Sequence, residues 1–187
     1  MVHAEDFCKA LQKANIHFIS GVPDSLLADL CACFSDIYSS YEHLITANEG
    51  NAVAMAIGHF LATENPGLVY MQNSGLGNAV NPITSLATQE VYSIPMLLVI
   101  GWRGEIDENG AQLQDEPQHV LQGKITKSLL DLLGIPFYIL DKDSDIKVIV
   151  EKAVKQTKTE QKPVALLVRK NTFEKYKNKI IKHKSET

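Results

Sequence analysis

The amino-acid sequence predicts an α/β domain, a parallel sheet with helices on both faces. Two observations carry that expectation. Short, nearly unbroken apolar runs, such as those at 94–101 and 164–168, alternate with segments of helical periodicity. Strands apolar on both sides belong to sheets covered on both faces. The second observation is size: 187 residues, 45% apolar and 21% charged, suffice for one well-buried domain and are short for two.

The elements follow in order. Residues 4–13 are amphipathic, with Phe7, Ala10, Leu11 and Ala14 on one face of a helix. Residues 16–19 read as a short strand. Gly21-Val22-Pro23-Asp24 is a turn, and Asp24 or Ser25 can cap a helix running to about Phe34. A second strand at 43–46 leads into a turn at Glu49 and a helix to about Ala62, whose small apolar residues predict an interior position. The strand at 67–71 breaks at 72–77, and a helix follows to about Thr88. After the apolar strand 94–101 comes a long polar loop, 102–117. A helix at 118–133, a strand at 137–139, a helix at 143–158 and a last strand at 164–168 complete the domain, 1–169. Residues 170–187 are lysine-rich and read as a solvated linker or tail. There is no internal repeat and no low-complexity tract.

Composition excludes several classes. A net charge of −4 gives no basis for nucleic-acid binding. No apolar run reaches membrane-spanning length, and the first residues lack the pattern of a signal peptide, so a cytoplasmic location is expected. Cys8, Cys31 and Cys33 form no disulfide framework. Cys31 and Cys33 point to different helix faces and read as small core residues rather than metal ligands.

In a parallel sheet, ligands bind beyond the carboxyl ends of the strands, so the turns at 21–24, 47–50, 72–78 and 102–119 are the informative ones. Glu49 sits at a strand–helix junction, facing inward, where an unpaired carboxylate is costly. It is either a helix-entry residue or the acid of a site. Gly75-Leu76-Gly77 lacks the third glycine of a dinucleotide fingerprint, because Val80 stands there, and no P-loop lysine occurs. Its glycines still let the backbone approach a flat ligand. Asp24 reads equally as a helix cap or a functional acid. His119 lies in Asp115-Glu116-Pro117-Gln118-His119. Arg103 is an ion-pair partner for Glu105 or Asp107, or a binder of a substrate anion. His17, His43 and His59 read as structural, and Ser74 lacks the surround of a catalytic serine. The small residues after Glu49 and Gly77, Ala52, Ala54, Ala56, Gly58, Ala79 and Ala87, predict close packing against another copy or a partner.

Six blocks in one order carry a resemblance: Gly21 to Ser25, Ala47 to Ala52, Tyr70 to Pro82, Ser93 to Leu97, Gly101 to Glu105 and Asp115 to His119. Together they resemble phosphonopyruvate decarboxylase, and the sulfopyruvate decarboxylase alpha subunit is similar; both depend on thiamin diphosphate. The resemblance runs from about Phe7 to Phe173 and implies the pyrimidine-binding domain fold. In that family a second domain or beta subunit carries a Gly-Asp-Gly motif that holds Mg²⁺ and the diphosphate; no such motif occurs here. The resemblance therefore implies a truncated N-terminal domain or a natural alpha subunit, working in a homo- or hetero-oligomer on a small 2-oxo acid. Blocks 72–81 and 102–105 favour the phosphonopyruvate type, and the length favours a split arrangement. Glu49 matches the acid that bonds N1′ of the aminopyrimidine, so that the cofactor's C2 carbon loses its proton. Asp24 and His119 match an acid and a histidine that handle protons in related decarboxylases. Pro23, Asn73, Ser74, Gly75 and Leu76 would line the cofactor, and Arg103 and Gln118 would face the substrate. No metal ligand is assigned. The stretch 108–114 enlarges the loop before Asp115. A non-catalytic dimerising domain and a flavodoxin-like binding module are the other classes, and retention of Glu49, Asp24 and His119 argues against both.

Overall fold

The parity of the apolar runs decides how the sheet is buried. In the strand Gly67–Gln72 (β3), Leu68 and Tyr70 pack into one apolar cluster while Val69 and Met71 pack into another. The strands Met96–Gly101 (β4) and Pro163–Val168 (β6) divide in the same way. Residues opposed at period two can both be buried only between two helical layers. The computed structural model, which describes residues 1–107 and 109–177, supplies those layers.

The remaining elements are α1 (Ala4–Lys13), β1 (Ile19–Gly21), α2 (Ala28–Ile37), β2 (His43–Ile45), α3 (Glu49–Thr63), α4 (Leu76–Pro82), α5 (His119–Leu132), β5 (Phe137–Leu140) and α6 (Ile146–Glu160). A 3₁₀ turn, Asn73–Gly75, precedes α4, and a π turn, Ile83–Ala87, follows it. The sheet order is β2-β1-β3-β4-β6-β5, with every pairing parallel. Helices α1, α2 and α6 cover one face; α3, α4 and α5 cover the other. Among the described residues no helix is long and apolar enough to cross a membrane.

Several expectations shift, each for a local reason. The first strand is Ile19–Gly21 rather than 16–19. Asn15 has φ 64°, and the Ile16 amide turns back to Leu11 O at 2.9 Å to close α1, so pairing starts later. Neither Asp24 nor Ser25 caps α2, which begins at Ala28 with Leu27 at its N-cap. The helix expected up to Thr88 is interrupted at Pro82, which has no amide to donate, and continues as the π turn. Helix α3 is not interior on all sides: Ala52, Val53, Ala56 and Ile57 are buried while Met55 and Leu61 are exposed. Helix α6 starts at Ile146 because the Asp145 side chain caps it, accepting from the Val148 amide at 3.1 Å.

The lysine-rich end is only partly a tail. Thr172 and Phe173 are buried, Phe173 packs edge-on to Phe7, and Val2 bridges to Phe173. Residues 178–187, the rest of the expected linker, and Glu108 of the enlarged loop lie outside the described residues.

Two glycine substitutions separate tight backbone approach from ordinary helix propensity. Gly21→Ala is expected to cost at least about 2–3 kcal/mol, since a Cβ there would strike the Tyr70 carbonyl. Gly58→Ala, where a Cβ meets nothing within 4 Å, is expected to stabilise by about 0.5–1 kcal/mol. Urea unfolding of the two variants beside the parent checks both signs.

Candidate active site

The chain runs from β1 out to β2 and then returns to the other side of β1 as β3. That reversal opens a crevice beyond the carboxyl ends of β1 and β3. Asp24 follows β1, Glu49 follows β2, and Gly75 follows β3, so the fold brings three predicted turns to one rim. Asn48, not Glu49, caps α3: its side chain accepts from the Asn51 amide at 3.0 Å. Glu49 is thus free of the capping role, and it is half-buried rather than facing the interior. Asn78 Nδ2 donates to Glu49 Oε2 at 2.8 Å. The other oxygen leans over Gly75, where a Cβ would sit 2.5 Å from Oε1. A side chain at 75 would have to push the carboxylate aside.

A second group lies beyond β4. Asp115 Oδ1 accepts from Arg103 Nη2 at 2.7 Å and from the Glu116 amide at 2.8 Å, and its Oδ2 accepts from Arg103 Nε at 3.0 Å and the Gly104 amide at 2.8 Å. His119 Nδ1 lies 3.0 Å from Asp115 Oδ1. Burial pushes the Asp115 carboxyl up, but the Arg103 guanidinium, these amides and His119 outweigh it and hold it well below the usual carboxylate range. An ionised Asp115 only accepts, so the proton of His119 sits on Nδ1 and leaves Nε2 as the acceptor of the neutral ring.

Asp24 is 6% exposed, and neither carboxylate oxygen has a hydrogen-bond partner among the described residues. Burial raises its pKa above the ordinary 3.8, and the nearby amides of Leu26, Leu27 and Ser25 and the Arg103 charge only partly offset this. Its Oδ2 lies where a Cβ of Gly101 would be. Glycine therefore stands against Asp24 as it does against Glu49.

Other predicted residues stand differently. Arg103 pairs with Asp115, not with Glu105 or Asp107, and its Nη1 donates to Ser25 Oγ at 2.9 Å. Its charge is therefore already matched. Glu105 instead lies 2.6 Å from Arg169 Nε, close enough for an ion pair though not aligned as a hydrogen bond. Asn73 is fully buried, with Nδ2 shared between Arg103 O and Thr126 Oγ1, both at 2.9 Å. Leu76 belongs to the core beneath α4. The side chains of these two residues do not line an open surface. Ser74 is exposed and accepts from Gln72 Nε2 at 2.7 Å; Pro23 and Gln118 are also exposed. A cavity of about 200 Å³ lies beside Arg103, between Ser25, Glu105, Asp115 and Lys170. Asp115 and Asn78 are the residues that sequence reasoning did not single out. Asp115 stands four positions before His119, a spacing at which side chains can meet.

Residues 1–129 match the family described as thiamine pyrophosphate enzyme, N-terminal TPP binding domain, and the chain belongs to that family. Within it, the chain is 37% identical over 146 residues to phosphonopyruvate decarboxylase of Streptomyces viridochromogenes, covering 78% of this chain and 34% of that protein. It is 29% identical over 166 residues to the sulfopyruvate decarboxylase subunit alpha of Methanococcus maripaludis, covering 88% of this chain and 93% of that subunit. The chain thus spans about a third of the phosphonopyruvate decarboxylases it matches and nearly all of the alpha subunit. The crystal structure of benzoylformate decarboxylase from Polynucleobacter necessarius shares the fold, with a TM-score of 0.62 at 19% identity, over 90% of this chain and 30% of that one.

The buried Asp24 and the half-buried Asp115 make opposite pH dependences testable. Asp24 has a raised folded pKa, so its contribution is present below 3.8 and is lost as pH rises through the folded value. Asp24→Asn should therefore gain stability relative to the parent as pH rises above the carboxylate range. Asp115 has a lowered folded pKa, so its contribution is present above 3.8 and is lost as pH falls. Asp115→Asn should cost about 2–3 kcal/mol at neutral pH, and the cost should shrink in acid. Urea titrations between about pH 3 and pH 8 read both slopes.

Proposed function

We propose that this chain is the pyrimidine-side half of a thiamin-diphosphate-dependent 2-oxo acid decarboxylase, acting on 3-phosphonopyruvate. The observation that carries the reading is Glu49: a carboxylate released from helix capping, held by Asn78, and set over a glycine at the crevice rim. Family membership and the 37% identity to phosphonopyruvate decarboxylase support it. The residues present fit the cofactor's ring, because the bare backbone of Gly75 leaves the Glu49 carboxylate room at the rim and Asp24, at the turn after β1, keeps two unpartnered oxygens.

Thiamin diphosphate, when bound, supplies the carbon nucleophile and the electron sink that loss of CO₂ from a 2-oxo acid needs. The protein's part is proton placement. Glu49 holds a proton at the ring nitrogen N1′. Burial favours a protonated Asp24, an acid able to donate. His119, oriented through Nδ1 by Asp115, offers Nε2 for proton transfer. Ser74 and Pro23 are the exposed residues beside the cofactor, and Gln118 adjoins His119. Arg103 acts chiefly by fixing Asp115, so the phosphonate is met by the edge of its guanidinium rather than by an unpaired charge. Among the described residues there is no group of three metal-binding side chains. In this reading a second domain or subunit carries Mg²⁺ and the diphosphate, in a cytoplasmic oligomer. The sulfopyruvate reading is the second one, favoured by the 93% coverage of the alpha subunit.

Mixing the chain with a diphosphate-binding partner, thiamin diphosphate and Mg²⁺ tests the proposal. CO₂ release is expected from the mixture and not from this chain alone, and release from only one of the two acids names the substrate. Glu49→Gln should slow C2–H/D exchange of bound cofactor by about 10²–10⁴-fold without lowering the melting temperature. Unchanged exchange would place the essential acid elsewhere.

A further inference from the structure

The bond between Asn78 and Glu49 caps neither helix. Asn48 already caps α3, and Asn78 lies inside α4, past its first residue. Yet the two helix starts are fitted to each other at successive positions. A Cβ on Gly50 would sit 2.9 Å from the Asn78 carbonyl oxygen, so the absence of a side chain at Gly50 locates the Asn78 backbone. The Asn78 side chain then reaches Glu49 Oε2 at 2.8 Å. An amide N–H can only donate. While it donates to Oε2, that oxygen is the accepting one, and a proton on Glu49 is favoured at Oε1. Oε1 is the oxygen that leans over Gly75.

We propose that Asn78 is a positioning residue for Glu49: it holds Oε2 as an acceptor and thereby favours the transferable proton at Oε1. The proposal deepens the decarboxylase reading, which names the ring nitrogen as the proton's other holder. The hydrogen bond itself does not depend on that reading. An aspartate at 78 would set a second carboxylate against Glu49 and force one of the pair to hold a proton between them. An alanine would leave Glu49 free to rotate.

The deciding experiment is NMR on the chain without cofactor. One side-chain amide proton of Asn78 should move downfield as Glu49 ionises, and the movement should vanish in Glu49→Gln. Asn78 amide signals indifferent to pH and to Glu49→Gln would overturn the proposal, whatever the chain catalyses. In the assembled enzyme with thiamin diphosphate and Mg²⁺, Asn78→Ala should slow C2–H/D exchange by about 10–100-fold and displace its pH profile, with KM for the 2-oxo acid unchanged. Exchange at the parental rate and pH profile in a folded Asn78→Ala variant would equally overturn it. If the parent complex shows no exchange at all, the decarboxylase reading fails, and the amide signals still decide whether Asn78 governs Glu49.

Discussion

One carboxylate organises the rim beyond β4. Asp115 draws together a guanidinium, the backbone amides of Gly104 and Glu116, and the first residue of α5. Arg103 carries the link onward to Ser25 at the entry to α2, and its own backbone is held by Asn73 after β3. The ends of three strands are thus tied to a loop of irregular backbone. Buried ion pairs of this kind are weak sources of stability, since desolvation consumes most of the attraction. Their value here is geometric. With both oxygens of Asp115 occupied, the ring of His119 has one orientation and one tautomer.

Glycine does the complementary work of making room. At Gly21 the obstacle to a side chain is the neighbouring strand's Tyr70; at Gly75 it is Glu49; at Gly101 it is Asp24. All three lie at carboxyl ends of strands or immediately beyond them. Where carboxylates must stand close to backbone, the cheapest accommodation is to remove the Cβ opposite. The positions also explain why those glycines are not hinges: none of the three has positive φ, so their role is space and not conformational freedom.

Much of this was legible in the sequence. Unbroken apolar runs identified the parallel two-faced sheet, because burial on both faces leaves no polar alternation. The turns flagged for unusual residues did turn out to share one rim. What was hidden depended on contacts distant in sequence. Nothing around Gly21 says that it is covered by Tyr70. The partner of Arg103 could not be chosen locally, since Glu105 and Asp107 are nearer along the chain than Asp115, and a folded loop brings the farther acid round: Ile106 bridges to Gln112, and Gln112 Nε2 binds Gly104 O at 2.8 Å. The environment of Asn73 is likewise set by contacts distant in sequence. A polar residue in a conspicuous turn suits ligand binding, yet here it is consumed by Arg103 and Thr126. Glu49 read as either a helix-entry residue or the acid of a site, and the cap bond of α3 falls to Asn48, one residue earlier.

The strand order has a consequence for how the protein is made. Strand β6 fills the slot between β4 and β5, and among the described residues β5 has no other neighbour. Helix α6 packs on α1, the first helix in the chain. During synthesis, β5 therefore emerges with nowhere to pair, and the edge of β4 stays open until Val168 has been delivered. The part of the α1 face that α6 covers waits through almost the whole chain. Every strand pairing closes a long loop, so no local hairpin can start the sheet. The nascent protein must carry exposed apolar surface for most of its translation, the condition under which chains depend on chaperones.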